Sequence, residues 1–237
     1  MKMKFPMFLF VCFLLASKSN GQSLTDDFSG NSINASQWTI YNTDIGNSSV
    51  TEGGGGATFI NGAGLMTVGG FQDATVSGSF EFTGDNDDRF SIVLRFDGTS
   101  FDPHWQQPSS GIQIQFAPSS NPSPDNPSLQ INDLALNTQL AYAAPEIDMD
   151  TYYNFMITDS GSQIDVYLGN TDTPALVADT TASYGETIGI FNRSQIDLGG
   201  PVHETELSNI SITPVPEPTT LSLFALSILG IFIKKSK

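Results

Sequence analysis

The central part of the chain alternates apolar and polar residues in short runs, as β-strands buried on one face do. Between residues 89 and 97, one face is predicted to carry Phe90, Ile92, Leu94 and Phe96, and the other Arg89, Ser91, Val93, Arg95 and Asp97. No stretch of about a dozen residues keeps the 3.6-residue apolar period of a helix. The pattern therefore predicts strands rather than helices.

Turn-forming residues separate these runs at intervals of about 8 to 12 residues. Asp97 and Gly98 end the first run, and the turn at 159–162 is predicted to join two strands in a hairpin. Further strand positions are Ile112, Ile114, Phe116, Tyr153, Phe155, Ile157, Ile164, Val166, Tyr167, Leu207, Ile210 and Ile212. Many short strands with regular turns predict an all-β protein, an antiparallel β-sandwich or jelly roll.

The first 21 residues have the layout of a secretory signal peptide. Lys2 and Lys4 precede an apolar stretch at 5–16, and small or polar residues follow up to Gly21. The stretch is shorter than the ~20 residues that a membrane-spanning helix needs, so we expect signal peptidase to remove residues 1–21. The single cysteine, Cys12, lies inside this segment, and the mature chain is therefore expected to lack thiols and disulfides.

The last 24 residues, 214–237, combine a short box, an apolar run at 221–233 and a basic end. The box is Val215, Pro216, Glu217 and Pro218, and the basic end is Lys234, Lys235 and Lys237. This order closely resembles the PEP-CTERM sorting signal. The resemblance implies that an exosortase acts at the box while a single apolar helix holds the precursor in the inner membrane. A permanent C-terminal anchor is the alternative, since it would carry the same apolar run.

The segment between these ends is strongly acidic. Residues 22–214 contain three arginines, no lysine and 24 carboxylates, which leaves a formal charge of −21. Such a surface repels polyanions, so nucleic acid is excluded as a partner, whereas divalent cations are attracted.

The body, residues 22–213, resembles concanavalin A-like and laminin G-like jelly rolls in pattern and spacing. The matching parts are the segment 26–30 with Trp38, the segment 80–97, the hairpin 152–168 and the final strand 206–213. The resemblance implies that the first and last strands pair, and that the domain binds glycans, calcium or other proteins.

Three carboxylates with alternating spacing are candidates for catalysis. On a strand, Glu146, Asp148 and Asp150 would project from one face, as the acids of a retaining glycosidase do. They resemble the Glu-x-Asp-x-x-Glu motif of laminarinase and lichenase relatives, although the last acid is aspartate and one spacer residue is missing. A solvated acidic loop is the alternative interpretation.

Two further segments are candidates for binding. The turn at 84–88 places Asp85, Asp87 and Asp88 together, and carboxylate oxygens are the ligands that calcium prefers, although a polar hairpin turn would look the same. Trp105, flanked by His104 and Gln106, is a candidate for stacking on a sugar ring or for capping the core. No cofactor other than calcium is indicated.

We therefore expect an exported, non-catalytic jelly roll at the cell surface or in the extracellular matrix, with exosortase and signal peptidase as processing partners. Extracellular polysaccharide or another surface protein is its expected partner there. The alternatives are a secreted retaining β-glycanase that uses the three acids above, and a structural surface protein that recognises another protein.

Overall fold

The computed structural model describes residues 22–44, 47–85, 87–104, 106–120, 127–192 and 202–215. These residues form fifteen β-strands in two antiparallel sheets, which confirms the predicted jelly-roll class. None of them forms a helix long and apolar enough to cross a membrane. The predicted signal peptide at 1–21 and the predicted helix at 221–233 lie outside the described residues.

The strands are β1 (Leu24–Asp26), β2 (Trp38–Tyr41), β3 (Ser49–Gly53), β4 (Gly56–Ile60), β5 (Gly64–Thr67), β6 (Ala74–Phe82), β7 (Phe90–Phe96), β8 (Ile112–Phe116), β9 (Leu129–Asp133), β10 (Thr138–Ala143), β11 (Tyr153–Asp159), β12 (Gln163–Leu168), β13 (Leu176–Asp179), β14 (Thr187–Asn192) and β15 (Glu204–Pro214). The eight-stranded sheet has the order β13-β12-β11-β6-β15-β4-β3, with β1 also paired to β15, and the seven-stranded sheet has the order β10-β9-β8-β7-β14-β5-β2.

Aromatic side chains fill the space between the two sheets. Phe80 of β6 stacks on Phe90 of β7 with ring centroids 5.1 Å apart. Phe116 of β8 and Phe155 of β11 pack against both rings at 4.9 to 6.2 Å. Since β6 and β11 belong to one sheet and β7 and β8 to the other, this group holds the sheets together.

The first and last strands pair, as the resemblance implied. β1 lies against β15 with Leu24 opposite Ile212. Close to it, Trp38 is buried, and its indole N–H donates to Asp26 Oδ2 at 2.9 Å. Asp26 Oδ1 accepts the Phe28 N–H at 2.9 Å, so one carboxylate fixes both the indole and the turn after β1.

Strand β7 departs from the predicted alternation at its end. Arg95 has a positive φ of 52°, and the ladder with β14 shifts register between Thr187 and Gly189. This is a β-bulge, which turns the following side chains to the opposite faces. Phe96 therefore packs outside the sandwich beside Val93, and the prediction that it shares a face with Phe90 is wrong.

The bulge also sends the Arg95 side chain into the protein interior. Its Nε and Nη2 donate to the two oxygens of Asp159 at 2.9 and 2.5 Å, and Nη1 donates to the carbonyls of Thr180 and Ala182. Both members of the ion pair are nearly fully buried. Asp159 ends β11, so the pair joins the seven-stranded sheet to the eight-stranded sheet.

Asp159→Asn is expected to destabilise the protein by about 3 kcal/mol or more, because it leaves the buried Arg95 charge uncompensated. Urea unfolding measures the loss. Asp172→Asn, which neutralises an exposed acid, is the matched control and should shift the unfolding free energy by less than about 0.5 kcal/mol. Equal stability of the two variants would show that the ion pair contributes little.

Candidate functional site

The outer face of the seven-stranded sheet carries amide side chains on two neighbouring strands. On β8, the apolar residues Ile112 and Ile114 face the core, so Gln113 and Gln115 point outwards. On β9, Gln130 and Asn132 point outwards for the same reason. The ladder pairs Gln115 with Gln130 and Gln113 with Asn132, so the four amides form a compact block.

Hydrogen bonds between side chains hold this block in a fixed arrangement. Asn132 Nδ2 donates to Gln113 Oε1 at 3.1 Å, and Gln113 Nε2 donates to Ser91 Oγ at 3.1 Å. Gln139 Nε2 of β10 donates to Gln130 Oε1 at 2.9 Å. A carboxamide has two N–H donors and an oxygen with two lone pairs, so each of these contacts leaves further hydrogen-bonding capacity.

The amide block forms the floor of a groove of about 390 Å³. We call it the amide groove. Its lining residues are Arg89, Gln113, Gln115, Gln130, Asn132, Asp133, Leu134, Asn137, Thr138 and Gln139. Its volume falls in the range of about 300–1,000 Å³ that is usual for small-molecule sites.

Strand β10 places an aromatic ring on the same face as the amides. Tyr142 lies opposite Gln130 in the β9–β10 ladder, and a register shift between Gln139 and Ala141 puts Gln139 opposite Asn132. Residues directly opposite in an antiparallel pair share a face, so Tyr142 and Gln139 both point outwards. Tyr142 is 67% exposed. Such a ring is available for stacking on a ligand.

Two charged side chains that line the amide groove, Asp133 and Arg89, have defined partners. Asp133 is buried, and its two carboxylate oxygens accept the Tyr184 hydroxyl at 2.7 and 2.8 Å. This hydrogen bond is the main cause that raises the pKa of Tyr184. Arg89 lies 3.9 Å from Asp87, in an ion pair between Nη2 and Oδ1. The four amides of the floor are polar and uncharged, and the Tyr184 hydroxyl satisfies the oxygens of Asp133 without adding a positive charge.

The loop between β7 and β8 covers the other half of this sheet face. Phe101 stacks on Tyr41 with ring centroids 4.0 Å apart, and it also contacts Phe96 at 5.4 Å and Phe191 at 6.1 Å. Leu134 packs against the same apolar cluster and lines the amide groove. Leu134, in the turn after β9, therefore lies at the boundary between this apolar cluster and the groove.

The candidate sugar-binding residues of the sequence lie in this loop. Gln106 Oε1 accepts the Asp44 N–H at 2.7 Å, so this amide fixes one loop to another. The His104 side chain is exposed. The backbone N–H of His104 donates to Asp102 Oδ1 at 2.9 Å. Trp105 lies outside the described residues. A sugar-binding role for these three residues stays a prediction.

The predicted calcium ligands do not point to one place. Asp88 is fully buried, with Oδ1 2.7 Å from Nδ1 of His203, and Oδ2 accepts the N–H groups of Asp85 and Glu204. Asp85 Oδ1 accepts the Asp87 N–H, as in a tight turn. Among the described residues, no three His, Cys, Asp or Glu side chains are placed to hold a metal ion. Calcium binding stays a prediction.

The three candidate catalytic acids lie in the loop between β10 and β11. Glu146, Asp148 and Asp150 are exposed, and only Ile147 between them is buried. Asp150 has a positive φ of 53°, and its N–H donates to the Phe82 carbonyl. The strand that would align the three carboxylates is therefore not present in this loop.

The amide groove was not predicted from the sequence. The sequence feature that corresponds to the groove is the alternation Ile-Gln-Ile-Gln-Phe at 112–116, followed by Leu-Gln-Ile-Asn-Asp at 129–133. The apolar positions predicted strands, but the residues between them were treated as ordinary solvent-facing positions. Uncharged amides at successive outward positions of two strands are the feature by which the sequence marks this face.

The C-terminal segment matches a known family model. Residues 214–236 match the PEP-CTERM protein-sorting motif, which confirms the sequence prediction. The motif marks the chain as an exported protein that an exosortase processes at the membrane, with the cell surface or the exterior as its destination. Val215 is the last described residue, and Pro216, Glu217 and Pro218 lie outside the described residues.

Solved structures with a similar fold include a glucanase, a Ca²⁺- and glycan-bound lumenal domain and a protein with a galectin-like fold. A β-glucanase of Bacillus licheniformis is 11% identical, with a TM-score of 0.59 over 83% of this chain and 100% of its own. The exoplasmic/lumenal domain of VIP36, in a form bound to Ca²⁺ and Man3GlcNAc, is 11% identical, with a TM-score of 0.55 over 76% of this chain and 86% of its own.

A Bacillus subtilis protein with a galectin-like fold is 12% identical, with a TM-score of 0.52 over 74% of this chain and 88% of its own. No curated protein matches the chain by sequence. At these identities, the similarity establishes the jelly-roll fold.

The buried Asp88 carboxyl is expected to make stability depend on pH. Burial raises the pKa of Asp88, against the opposing effect of its hydrogen bonds to His203 and Glu204. A carboxyl whose folded pKa exceeds its unfolded pKa stabilises the protein at low pH, and this contribution is lost as pH rises through the folded pKa.

The test compares the unfolding free energy of the native protein with that of Asp88→Asn over a pH series. The native protein should lose stability relative to the variant as pH rises above the ordinary aspartate value of 3.8. A difference that stays constant with pH would contradict this prediction, and so would one that changes in the opposite direction. Asp172→Asn, at an exposed position, is the control.

Proposed function

We propose that this protein is an exported, non-catalytic glycan-binding module, and that the amide groove binds an uncharged glycan at the cell surface or outside the cell. The observation that carries the proposal is the block of hydrogen-bonded amides with an exposed tyrosine beside it on the same sheet face. Export is established by the sorting motif.

The amide block suits sugar hydroxyls chemically. A hydroxyl both donates and accepts, and a carboxamide offers both functions, so each amide serves two neighbouring hydroxyls. The bonds from Asn132 to Gln113 and from Gln139 to Gln130 orient the amides before a ligand arrives. Orientation before binding lowers the entropic cost of association.

The charge distribution favours a neutral rather than an acidic glycan. Residues 22–214 carry a formal charge of −21, which repels a polyanion at a distance. Within the groove, Arg89 lies beside Asp87, and Asp133 accepts the Tyr184 hydroxyl. A ligand carboxylate would therefore find little net positive charge to offset its desolvation.

A non-catalytic role is supported by the placement of the candidate acids. Glu146, Asp148 and Asp150 lie in the loop between β10 and β11 and not on a strand of the amide face. Retaining glycosidases hold two carboxyl groups about 5–5.5 Å apart across the scissile bond, which requires both to face one ligand. A reducing-sugar assay on β-glucans tests this part: release of sugar that Glu146→Gln abolishes would establish the glycanase alternative.

The double variant Gln113→Ala/Asn132→Ala is expected to weaken glycan binding about tenfold, which corresponds to ~1.4 kcal/mol. Both partners of one hydrogen bond are removed together, so the floor is left with few unsatisfied groups. Residues 22–215 are titrated against soluble β-glucan, mannan and galactan, with alginate as the acidic comparator.

The matched control is Asn154→Ala/Asn170→Ala, which removes a hydrogen-bonded amide pair at another groove, of about 330 Å³, formed by residues of β11, β12 and the loop after β12. The control should bind as the native protein does. Binding to none of the neutral polysaccharides would refute the proposal. Tight binding of alginate alone would refute the preference for an uncharged ligand.

Tyr142→Ala is expected to weaken binding of the same neutral glycan about three- to tenfold, because stacking on an aromatic ring contributes ~0.5–1.5 kcal/mol. Tyr167→Ala removes a tyrosine that lines the other groove and is the control. If both variants bind equally well, Tyr142 is not part of the site. The Tyr142→Phe variant should retain most of the affinity, since stacking needs the ring and not the hydroxyl.

A further inference from the structure

The folded body reaches almost to the sorting box. β15 runs between β6 and β4 in the eight-stranded sheet, and its last residue, Pro214, lies opposite Ala74 of β6. The next residue is also held, because the Val215 N–H donates to the Asp73 carbonyl at 2.6 Å. Val215 is the first residue of the sorting box, and its Pro-Glu-Pro part begins at the following residue, 216. No spacer separates the box from the sheet.

The described N-terminal end emerges at the same place. β1 pairs with the final part of β15, antiparallel, with Leu24 opposite Ile212 and Asp26 opposite Ile210. Residue 22 therefore lies beside the end of β15. The turn between β11 and β12 is close, because a Cβ placed on Gly161 would come 2.7 Å from Asp73 Oδ1. We call the surface formed by residues 22–23, 72–73, 160–162 and 215 the exit pole.

The length of the connecting chain limits how far the box can lie from the exit pole. An extended chain advances at most about 3.6 Å per residue, so positions 216–218 lie within ~15 Å of Pro214. An enzyme that binds the box is itself a folded protein, and its surface around the bound segment extends over a larger radius. It must therefore meet the exit pole while it holds the box.

We propose that the exit pole is the surface of this protein that the exosortase contacts during processing, and that the enzyme presents a positively charged surface to it. Asp73 is exposed at the exit pole, and its carbonyl accepts the N–H of Val215. Glu186 adjoins it: its carbonyl accepts the Phe71 N–H at 2.6 Å, and its Oε2 would lie 2.6 Å from a Cβ on Gly70.

The same charges argue against contact with lipid. The exit pole as defined contains no lysine or arginine, whereas segments that bind an anionic membrane surface do so through basic residues near it. A carboxylate beside anionic headgroups is repelled. The exit pole therefore fits a basic protein surface better than it fits the membrane.

The experiment measures the rate at which the full-length precursor is shortened in membranes that contain the exosortase. The test variant is Asp73→Asn/Glu186→Gln. Asparagine tolerates the positive φ of 47° at position 73, so the change removes charge without imposing strain. We expect processing to slow about two- to tenfold, because two exposed charge contacts with the enzyme are removed.

Two comparisons isolate the contact from other effects. Glu146→Gln/Asp148→Asn neutralises two exposed acids in the loop between β10 and β11, which lies at the opposite end of the strands, and it should leave the rate unchanged. A ten-residue Gly-Ser spacer between Val215 and Pro216 moves the box ~16–19 Å from the pole. With the spacer, neutralising Asp73 and Glu186 should no longer alter the rate. Equal thermal unfolding midpoints show that each variant folds.

Three results would overturn the proposal. One is an equal rate for the pole variant and the native precursor without the spacer. Another is a slowing that persists when the spacer is present. The third is faster processing of the pole variant in membranes rich in anionic lipid, because relief of repulsion would show that the pole faces lipid and not a basic protein surface.

Discussion

The change of side-chain direction at Arg95 is the constraint on which the arrangement of the two sheet faces depends. One bulged residue with a positive φ sends the guanidinium inwards to Asp159 and turns Phe96 outwards. The inward group links the two sheets in the interior through charge-assisted hydrogen bonds. The outward ring provides an apolar surface on which Phe101, and with it the loop between β7 and β8, packs.

This packing divides the outer face of the seven-stranded sheet into two unequal environments. Around β14, β5 and β2, the loop covers the apolar cluster of Val93, Phe96 and Phe191. On β8, β9 and β10, the face stays open and carries amides and an exposed tyrosine. Leu134 packs against the covered apolar half and also lines the groove on the open half. The proposed glycan site thus lies on the half of the face that the loop leaves open.

Much of the fold was predictable because alternation reports directly which face of a strand is buried. The hairpin around 159–162 and the core positions of β8 followed from the pattern. The bulge at Arg95 did not, since a positive φ at an arginine has no signal in the local sequence. The burial of Asp88 against His203 was missed for a related reason: the partners are 115 residues apart, and only the fold brings them together.

The central claim is that the amide groove is the glycan-binding site of an exported module. The most direct measurement is backbone hydrogen exchange of residues 22–215 with and without the neutral oligosaccharide that binds best. Slower exchange is predicted in β8, β9 and β10 and in the turn at 134–137, with no change in β11 and β12. Protection confined to β11 and β12, or to the acidic loop at 144–152, would contradict the claim and place the ligand elsewhere on the sandwich.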